Sequence, residues 1–309
     1  VALVIPGVLM AEHPLMDGAS EGAAPVVFDS PHSGTEYPAD FAYAAPLSVL
    51  RRAEDAFVDE LFAGAPRHGA GFLRALFPRS YVDPNRHEHE IDPKLLAEPW
   101  PHDFPHSPRA ERGLGVVRRL VRATVPVYDR ALTVGEIQAR IDSYHRPYHD
   151  ALKEMLDATH AHYGALWHVN CHSMKGSYKG KARSDFVIGD RDGTSCGGEF
   201  TALVAETLRE LGYRVGLNSP FKGAEIIIRH GAPQWNRHSL QIEVNRSLYM
   251  DEERIEKSSG FEKLKRDIDS LIAAVTGYAR ENLPARADAE ASQPMSSRKP
   301  RVSAVVRDP

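Results

Sequence analysis

Short runs of apolar and β-branched residues that stop at Gly, Asp, Asn or Ser recur along the chain. They are APVVFDS at 24–30, GFLRALF at 71–77, ALWHVNC at 165–171, DFVIGD at 185–190, AEIIIRHG at 224–231 and HSLQIEVN at 238–245. Their length and punctuation read as strands. Between them the spacing of apolar positions becomes helical. Ala53 to Phe62 gives one amphipathic series, and Glu199 to Leu211 gives a stronger one that stops at Gly212 as a C-cap would. Glu136 to Tyr163 predicts a long helix with Pro147 inside the stretch YHRPYH. A proline there removes a backbone hydrogen bond and clashes with the preceding turn, so a kink or break is expected beside it. Strands alternating with helices point to an α/β fold: a mixed, largely parallel sheet covered on both faces, with its functional crevice at the carboxyl ends of the strands.

A chain of 309 residues has room for a sizeable core and a deep cleft, and no internal repeat or long linker divides it. One domain from about 20 to 284 is the simplest reading, with two subdomains around the Pro- and His-rich piece 98–110 as the alternative. Residues 1–19 read as a leading segment, since VALVIPGVLMAEHPL begins apolar but has no basic region before it and no small-residue cleavage site. Residues 285–309 are rich in Ala, Ser, Pro and Arg and read as a flexible tail, too poor in apolar area to offset the entropy of ordering.

Composition narrows the class of partner. With 42% hydrophobic and 26% charged residues and a formal net charge of -4, the chain carries no footprint for nucleic acid or an anionic membrane. No run approaches the roughly 18 consecutive apolar residues of a membrane span. The two cysteines, Cys171 and Cys196, have neither zinc-type nor redox spacing, which suits free thiols in a reducing compartment and predicts a cytoplasmic location.

Candidate chemistry sits where strands end. His32 follows PVVFD and His172 follows LWHVN, so two imidazoles from different strands reach one sheet edge. A catalytic zinc commonly takes three His, Asp or Glu ligands and leaves a fourth position for water. The missing ligand should be a carboxylate: Asp55, with Asp59 one turn later, or Glu36, four residues after His32. Glu243 alternates with Ile242 and Val244 in LQIEVN and points to the opposite face. Buried there it needs a partner, and a metal-activated water supplies one for a general base. In VDPNRHEHE, Asn85 and Arg86 follow a probable strand and a proline turn, and a guanidinium fork beside an amide suits a substrate carboxylate.

Blander readings apply elsewhere. RHEHE and PHDFPH look metal-like but read as solvated loops, and GDRDGTSCGG lacks the Lys and Gly spacing of a phosphate loop, so it reads as a turn near the site mouth. Cys171 and His172 are neighbours on a strand and face opposite ways, which leaves Cys171 as a buried thiol. YHRPYH is read equally as a helix break packed on the core or as a substrate contact.

Eight pieces together resemble the N-formylglutamate amidohydrolase family, which is related in fold to zinc carboxypeptidases and aspartoacylase. SPHSGTEYP, EDAFVDELF, YVDPNR, YHRPYHDAL, NCHSM, DFVIGDRDGTSC, FKGAEIIIRHG and LQIEVNRSLYM occur in family order and cover roughly 25–250. The resemblance implies a single three-layer, zinc-carboxypeptidase-like (phosphorylase/hydrolase-like) domain that binds one Zn2+ and hydrolyses N-formyl-L-glutamate, or a close N-acyl amino acid, within histidine degradation. It implies His32, Asp55 and His172 as metal ligands, Glu243 as general base, Asn85 and Arg86 as substrate-binding residues, and Arg229 in a substrate or oxyanion role. Carboxypeptidases and aspartoacylase carry Glu three residues after the first His; position 35 here is Thr, a departure that favours Asp55 over Glu36. The rival expectations are a metallohydrolase of the same fold acting on another N-acyl amino acid or a peptide, and a non-catalytic zinc- or ligand-binding protein.

Overall fold

The computed structural model describes residues 3–285 apart from 17, 19, 20, 104, 105, 123 and 179. Eight strands form one sheet: β1 (Leu3–Ile5), β2 (Leu9–Glu12), β3 (Val26–Ser30), β4 (Gly71–Ala75), β5 (Leu166–Met174), β6 (Phe186–Gly189), β7 (Val215–Leu217) and β8 (Arg237–Asn245). Their spatial order is β1-β2-β4-β3-β5-β8-β6-β7. The centre, β4-β3-β5-β8, is parallel. Antiparallel pairings add β1 and β2 on one side and β6 on the other, and β7 runs parallel to β6. The sheet is therefore mixed, as the alternation of strands and helices predicts.

Helices cover both faces. On one lie α1 (Val58–Phe62), α4 (Gly198–Glu210) and α6 (Phe261–Glu281), whose Leu61, Val204 and Ile272 pack with Val26, Val169 and Ile242 of the strands. On the other lie α2 (Val134–Arg140) and α3 (Arg146–Tyr163), whose Ile137, Tyr148 and Leu152 pack with Val27 and Leu73. No helix among the described residues is long and apolar enough to cross a membrane.

The alternation inside the central strands decides where the site lies. Trp167, Val169 and Cys171 of β5 and Leu240, Ile242 and Val244 of β8 fill the first core. The intervening His168, Asn170, His172, Ser239, Gln241 and Glu243 point to the other face, in register as His168 beside Ser239, Asn170 beside Gln241 and His172 beside Glu243. An alternating strand ordinarily turns its polar side to water. Here that face is covered too, all six residues are buried, and they must satisfy one another. Cys171 is a core thiol on the opposite face from His172, with its pKa pushed well up by burial.

Several expectations are corrected. AEIIIRHG is the helix α5 (Glu225–His230): Ile226, Ile227 and His230 are buried while Ile228 is exposed, a helical spacing that three consecutive isoleucines conceal. The chain enters it through Gly223 at φ +100, where a Cβ would lie 2.0 Å from Ile227 Cδ1. Residues 3–12, read as part of a leading segment, supply β1 and β2. Helix α1 begins only at Val58, because Phe57 has a left-handed backbone. The long helix around YHRPYH divides into α2, a π-turn at Ile141–His145 and α3, so Pro147 falls in the first turn of α3, where no backbone donor is needed. The tail from residue 286 onward lies outside the described residues.

Candidate functional site

His32 sits in the turn after β3, and the adjacent Gly34 lets that turn lie on the backbone of Leu76 and Phe77, where a Cβ would meet Phe77 O at 2.3 Å. The turn also places the second carboxylate: the backbone N–H of Asp55 donates to His32 O at 2.9 Å. His172 comes from β5, which continues two residues beyond it. The outcome is one buried cluster in which ligand atoms of His32, Asp55 and His172 lie within 4.8 Å of one another. Glu36, the other carboxylate considered, is exposed and outside the cluster.

The donor set suits a cation. His172 Nδ1 lies 2.9 Å and His32 Nδ1 3.3 Å from the same oxygen, Asp55 Oδ2. The far nitrogens also meet acceptors: His32 Nε2 meets Asp83 Oδ1 at 2.7 Å and His172 Nε2 meets Asn170 Oδ1 at 2.7 Å. The Asn170 amide is oriented from behind, because its Nδ2 donates to Asp29 Oδ1 at 2.7 Å. Burial, together with the charge of His32, pulls the pKa of His172 down to about 4, so at neutral pH the ring has one proton for two acceptors. With that proton on Nε2 toward Asn170, the Nδ1 lone pair faces a carboxylate, a shortage that a divalent cation removes. Imidazoles whose second nitrogen is held by a carboxylate or carbonyl oxygen are the usual arrangement at protein-bound zinc.

The surroundings hold this geometry. Burial alone would raise Asp55, but hydrogen bonds from His172 and His32 and the charge of Arg79 hold its carboxyl well below the usual range. Arg246, just beyond β8, donates to Asp55 Oδ1 at 2.9 Å and to Ser173 Oγ at 2.9 Å. Asp83 stays ionised despite burial because Arg79, His32 and Arg86 surround it. Asp29 accepts from Tyr148 at 2.7 Å and from His168 at 3.0 Å as well as from Asn170. These supporting residues escaped the sequence reading. Their signal was present as alternate polar positions in LWHVNC and SLQIEVN, which read as solvent-facing unless both sheet faces are known to be covered.

A cavity of about 200 Å³ opens over the cluster, and its wall includes His32, Asp55, His172, Asn85, Arg86 and Glu243. Glu243 is 7% exposed and is held by Gln241 Nε2 at 2.8 Å. Burial and the negative charge of Asp55 push its carboxyl up to about 8, a range suited to taking and returning a proton. Arg86 lines the cavity with Nε on Leu114 O at 3.2 Å and Nη1 on Asn85 O at 2.6 Å, which leaves Nη2 without a protein partner among the described residues.

Two expected residues have other surroundings. Asn85 lines the cavity, but its amide is occupied: Oδ1 accepts from Ile226 N at 3.0 Å, capping α5, and Nδ2 faces His172 Nε2 at 3.0 Å. It braces the site from the wall, with its Oδ1 spent on Ile226 N. Arg229 is absent from the cavity wall, and its guanidinium pairs with Glu225 at 2.9 Å on the same helix. The geometry therefore gives no support to an oxyanion role for Arg229; the guanidinium on the cavity wall beside Asp55 is that of Arg79, at 3.7 Å.

YHRPYH is a helix break packed on the core, and it also braces the site. His145 and His149 donate from Nε2 to Arg86 O at 2.9 Å and Pro84 O at 2.8 Å, the carbonyls on either side of Asn85. The loop clusters carry no converging metal group: His89 and His102 stack with ring centroids 4.4 Å apart, and among the described residues the group of three is His32, Asp55 and His172.

Comparison with known proteins gives the same direction. The family described as N-formylglutamate amidohydrolase matches residues 24–250. The crystal structure of N-formylglutamate amidohydrolase from Ralstonia eutropha JMP134 is 42% identical, covers 90% of this chain and 100% of that one, and superposes with a TM-score of 0.85. N-formylglutamate deformylase of Pseudomonas putida is 27% identical over 249 residues, 75% of this chain and 84% of that protein. A gene product of Agrobacterium tumefaciens shares the fold at 18% identity and a TM-score of 0.61, covering 89% of this chain and 95% of that one. The chain belongs to the N-formylglutamate amidohydrolase family.

Proposed function

From that membership and the geometry of its site, we propose that the protein is a zinc-dependent amidohydrolase that cleaves N-formyl-L-glutamate to formate and L-glutamate. The observation that carries this reading is the placement of Glu243 in the same small cavity as the lone pairs of His32, Asp55 and His172. A zinc ion held by those three residues would supply Lewis-acid stabilisation of the scissile carbonyl and acidify a nearby water. Everything else falls to the chain itself. Arg86 binds the substrate's α-carboxylate through its unspent Nη2 and so sets the amide against the cluster. Glu243 takes the proton of the attacking water and returns it to the departing nitrogen, while Gln241 keeps its carboxyl in place. Arg79, half-buried between Asp55 and Asp83, adds positive charge at the wall of the cavity.

The test is formate release from N-formyl-L-glutamate by zinc-loaded protein, beside Glu243→Gln and with N-acetyl-L-glutamate for comparison. Loss of a proton-transferring group lowers kcat by about 10²- to 10⁴-fold. A Gln variant that keeps full turnover would remove Glu243 from the mechanism. An inert wild type with one bound zinc would remove the substrate.

A further inference from the structure

Positive charge is in surplus along one wall of the cavity. Arg79 and Arg118 both converge on Asp83 Oδ2, at 2.8 and 3.2 Å, so one carboxylate already serves two guanidinium groups. Lys222 at the mouth pairs with Asp192 at 2.6 Å. That leaves Arg86, whose hydrogen bonds go only to carbonyl oxygens, and Arg109, whose guanidinium has no ion pair or hydrogen bond among the described residues. The nearby carboxylates are engaged elsewhere: Glu88 with Arg146, Glu90 with Ser107 and Glu111 with His106.

The two arginines are tied through one residue, Leu114, which bonds the backbone of Arg109 and the guanidinium of Arg86. Leu114 N donates to Arg109 O at 3.0 Å, and Leu114 O accepts from Arg86 Nε at 3.2 Å. The short helix Pro108–Glu111 that carries Arg109 is fixed at its start by Ser107, which caps Ala110 N at 3.2 Å and bonds Glu90. The two cations share the cavity wall, and the pKa of Arg86 is lowered by burial and by the charges of Arg79 and Arg109, against the pull of Asp83. Like charges kept together at the wall of a cavity call for an anion between or beside them. Arg86 adjoins Asn85 and hence His172, whereas Arg109 is exposed at the outer end.

We propose that Arg109 is the specificity-determining residue of a two-part carboxylate clamp, in which Arg86 holds the α-carboxylate and Arg109 holds the side-chain carboxylate of a dicarboxylic N-formyl amino acid. The inference rests on the deformylase reading and deepens it, because it predicts that a formylated acidic amino acid is preferred to its neutral isostere. Arg109 lies at the surface, with only Ala110 of its helix buried, so its replacement leaves the fold intact.

The experiment measures kcat and KM of zinc-loaded wild type, Arg109→Gln and Arg109→Lys on N-formyl-L-glutamate and on N-formyl-L-glutamine, which differ only in the side-chain charge. Wild type favours the glutamate compound. In Arg109→Gln its KM rises by roughly 10- to 100-fold, the usual worth of a hydrogen bond to a charged group, while kcat/KM for the glutamine compound stays within about twofold. Arg109→Lys restores part of the preference, since it keeps the charge and loses the fork. Equal losses on both substrates, or no loss on either, overturn the clamp while the deformylase reading stands. A wild type inert toward both overturns the deformylase reading itself.

Discussion

Replacing Asn170 with Leu tests whether a buried amide sets the proton of a metal-binding histidine. The side chain is fully buried and makes two short contacts, Nδ2 to Asp29 and Oδ1 to His172 Nε2, each 2.7 Å. Leu has the same number and branching of side-chain heavy atoms and makes neither. Asp29 keeps Tyr148 and His168 but loses one of three side-chain donors. A lost hydrogen bond to a charged group costs about 1.5–3 kcal/mol, which in a chain of this size lowers Tm by roughly 3–12 °C. The second consequence is the specific one. Without Asn170 Oδ1, the remaining neighbour of His172 Nε2 is the Asn85 amide nitrogen at 3.0 Å, a donor, so the ring moves its proton to Nδ1, toward Asp55. Zinc must then displace that proton, and affinity falls by about 10- to 100-fold, the usual effect of removing a residue that orients a metal ligand. Competition with a chromogenic chelator measures the affinity, and calorimetry in buffers of different ionisation enthalpy counts the protons. Proton release should match wild type, because the ring is neutral in both proteins and the proton displaced from Nδ1 moves to Nε2. A variant that melts earlier yet binds zinc as tightly would refute the assignment and leave Asn170 as packing.

Other expectations follow from charge and placement. In chelator-treated protein, Glu243 is held up to about 8 by burial and by Asp55. A raised carboxyl gives stability that is full below the ordinary value near 4.5 and is lost as pH climbs through 8, so wild type should weaken by a few kcal/mol over that window relative to Glu243→Gln. Parallel denaturant curves at pH 5 and 8.5 would contradict it. At acid pH the sign reverses: burial lowers His145 to about 4 and His230 to about 3, and His149 lies well below its ordinary value. The stability contributed by these neutral rings is full above about 6.5 and falls by up to about 1.4 kcal/mol per pH unit for each as pH drops toward 4. Denaturant midpoints from pH 7 to 4 check this, and His230→Leu should flatten the decline. Arg229→Gln should leave kcat/KM within about threefold of wild type, the scale of a surface change remote from the reacting groups; a loss of a hundredfold would return Arg229 to the site.

The sheet was legible where one period dominated. Six apolar runs were read as strands and five are, because each is bounded by turn residues and carries β-branched or aromatic side chains. AEIIIRHG failed for a tertiary reason: its first turn is capped by Asn85, a residue far away in the chain, and a strong local β-propensity yields to that cap and to burial of one helical face. Strands β1, β2 and β7 are elements of three or four residues, too short for periodicity to register. Helix α6 has a clear apolar stripe at Leu264, Ile268, Leu271 and Val275, and no motif drew attention to it.

The site was legible in its reacting residues and not in what holds them. His32, His172 and Glu243 stand out because each is a chemically costly residue beside an apolar run, where an unpaired charge or imidazole must have a use, whereas only the family resemblance favours Asp55 over Glu36. Their supports carry no such mark. Asp29, Asn170 and Asp83 are ordinary polar residues in the sequence, and their value arises only when β3, β5 and β8 come into register and the second face of the sheet is closed. Arg229 and Asn85 show the reverse limit. Both residue types fit substrate binding, but only the folded chain reveals that one guanidinium is neutralised by its own helix and that one amide oxygen caps that same helix. Arg109, in a Pro- and His-rich stretch with no pattern at all, gains meaning solely from having no counter-charge at the rim of a cavity whose other cations are accounted for. What a sequence reports is which residues are expensive to bury; which of them remain unsatisfied, and so available to a substrate, is a property of the assembled network.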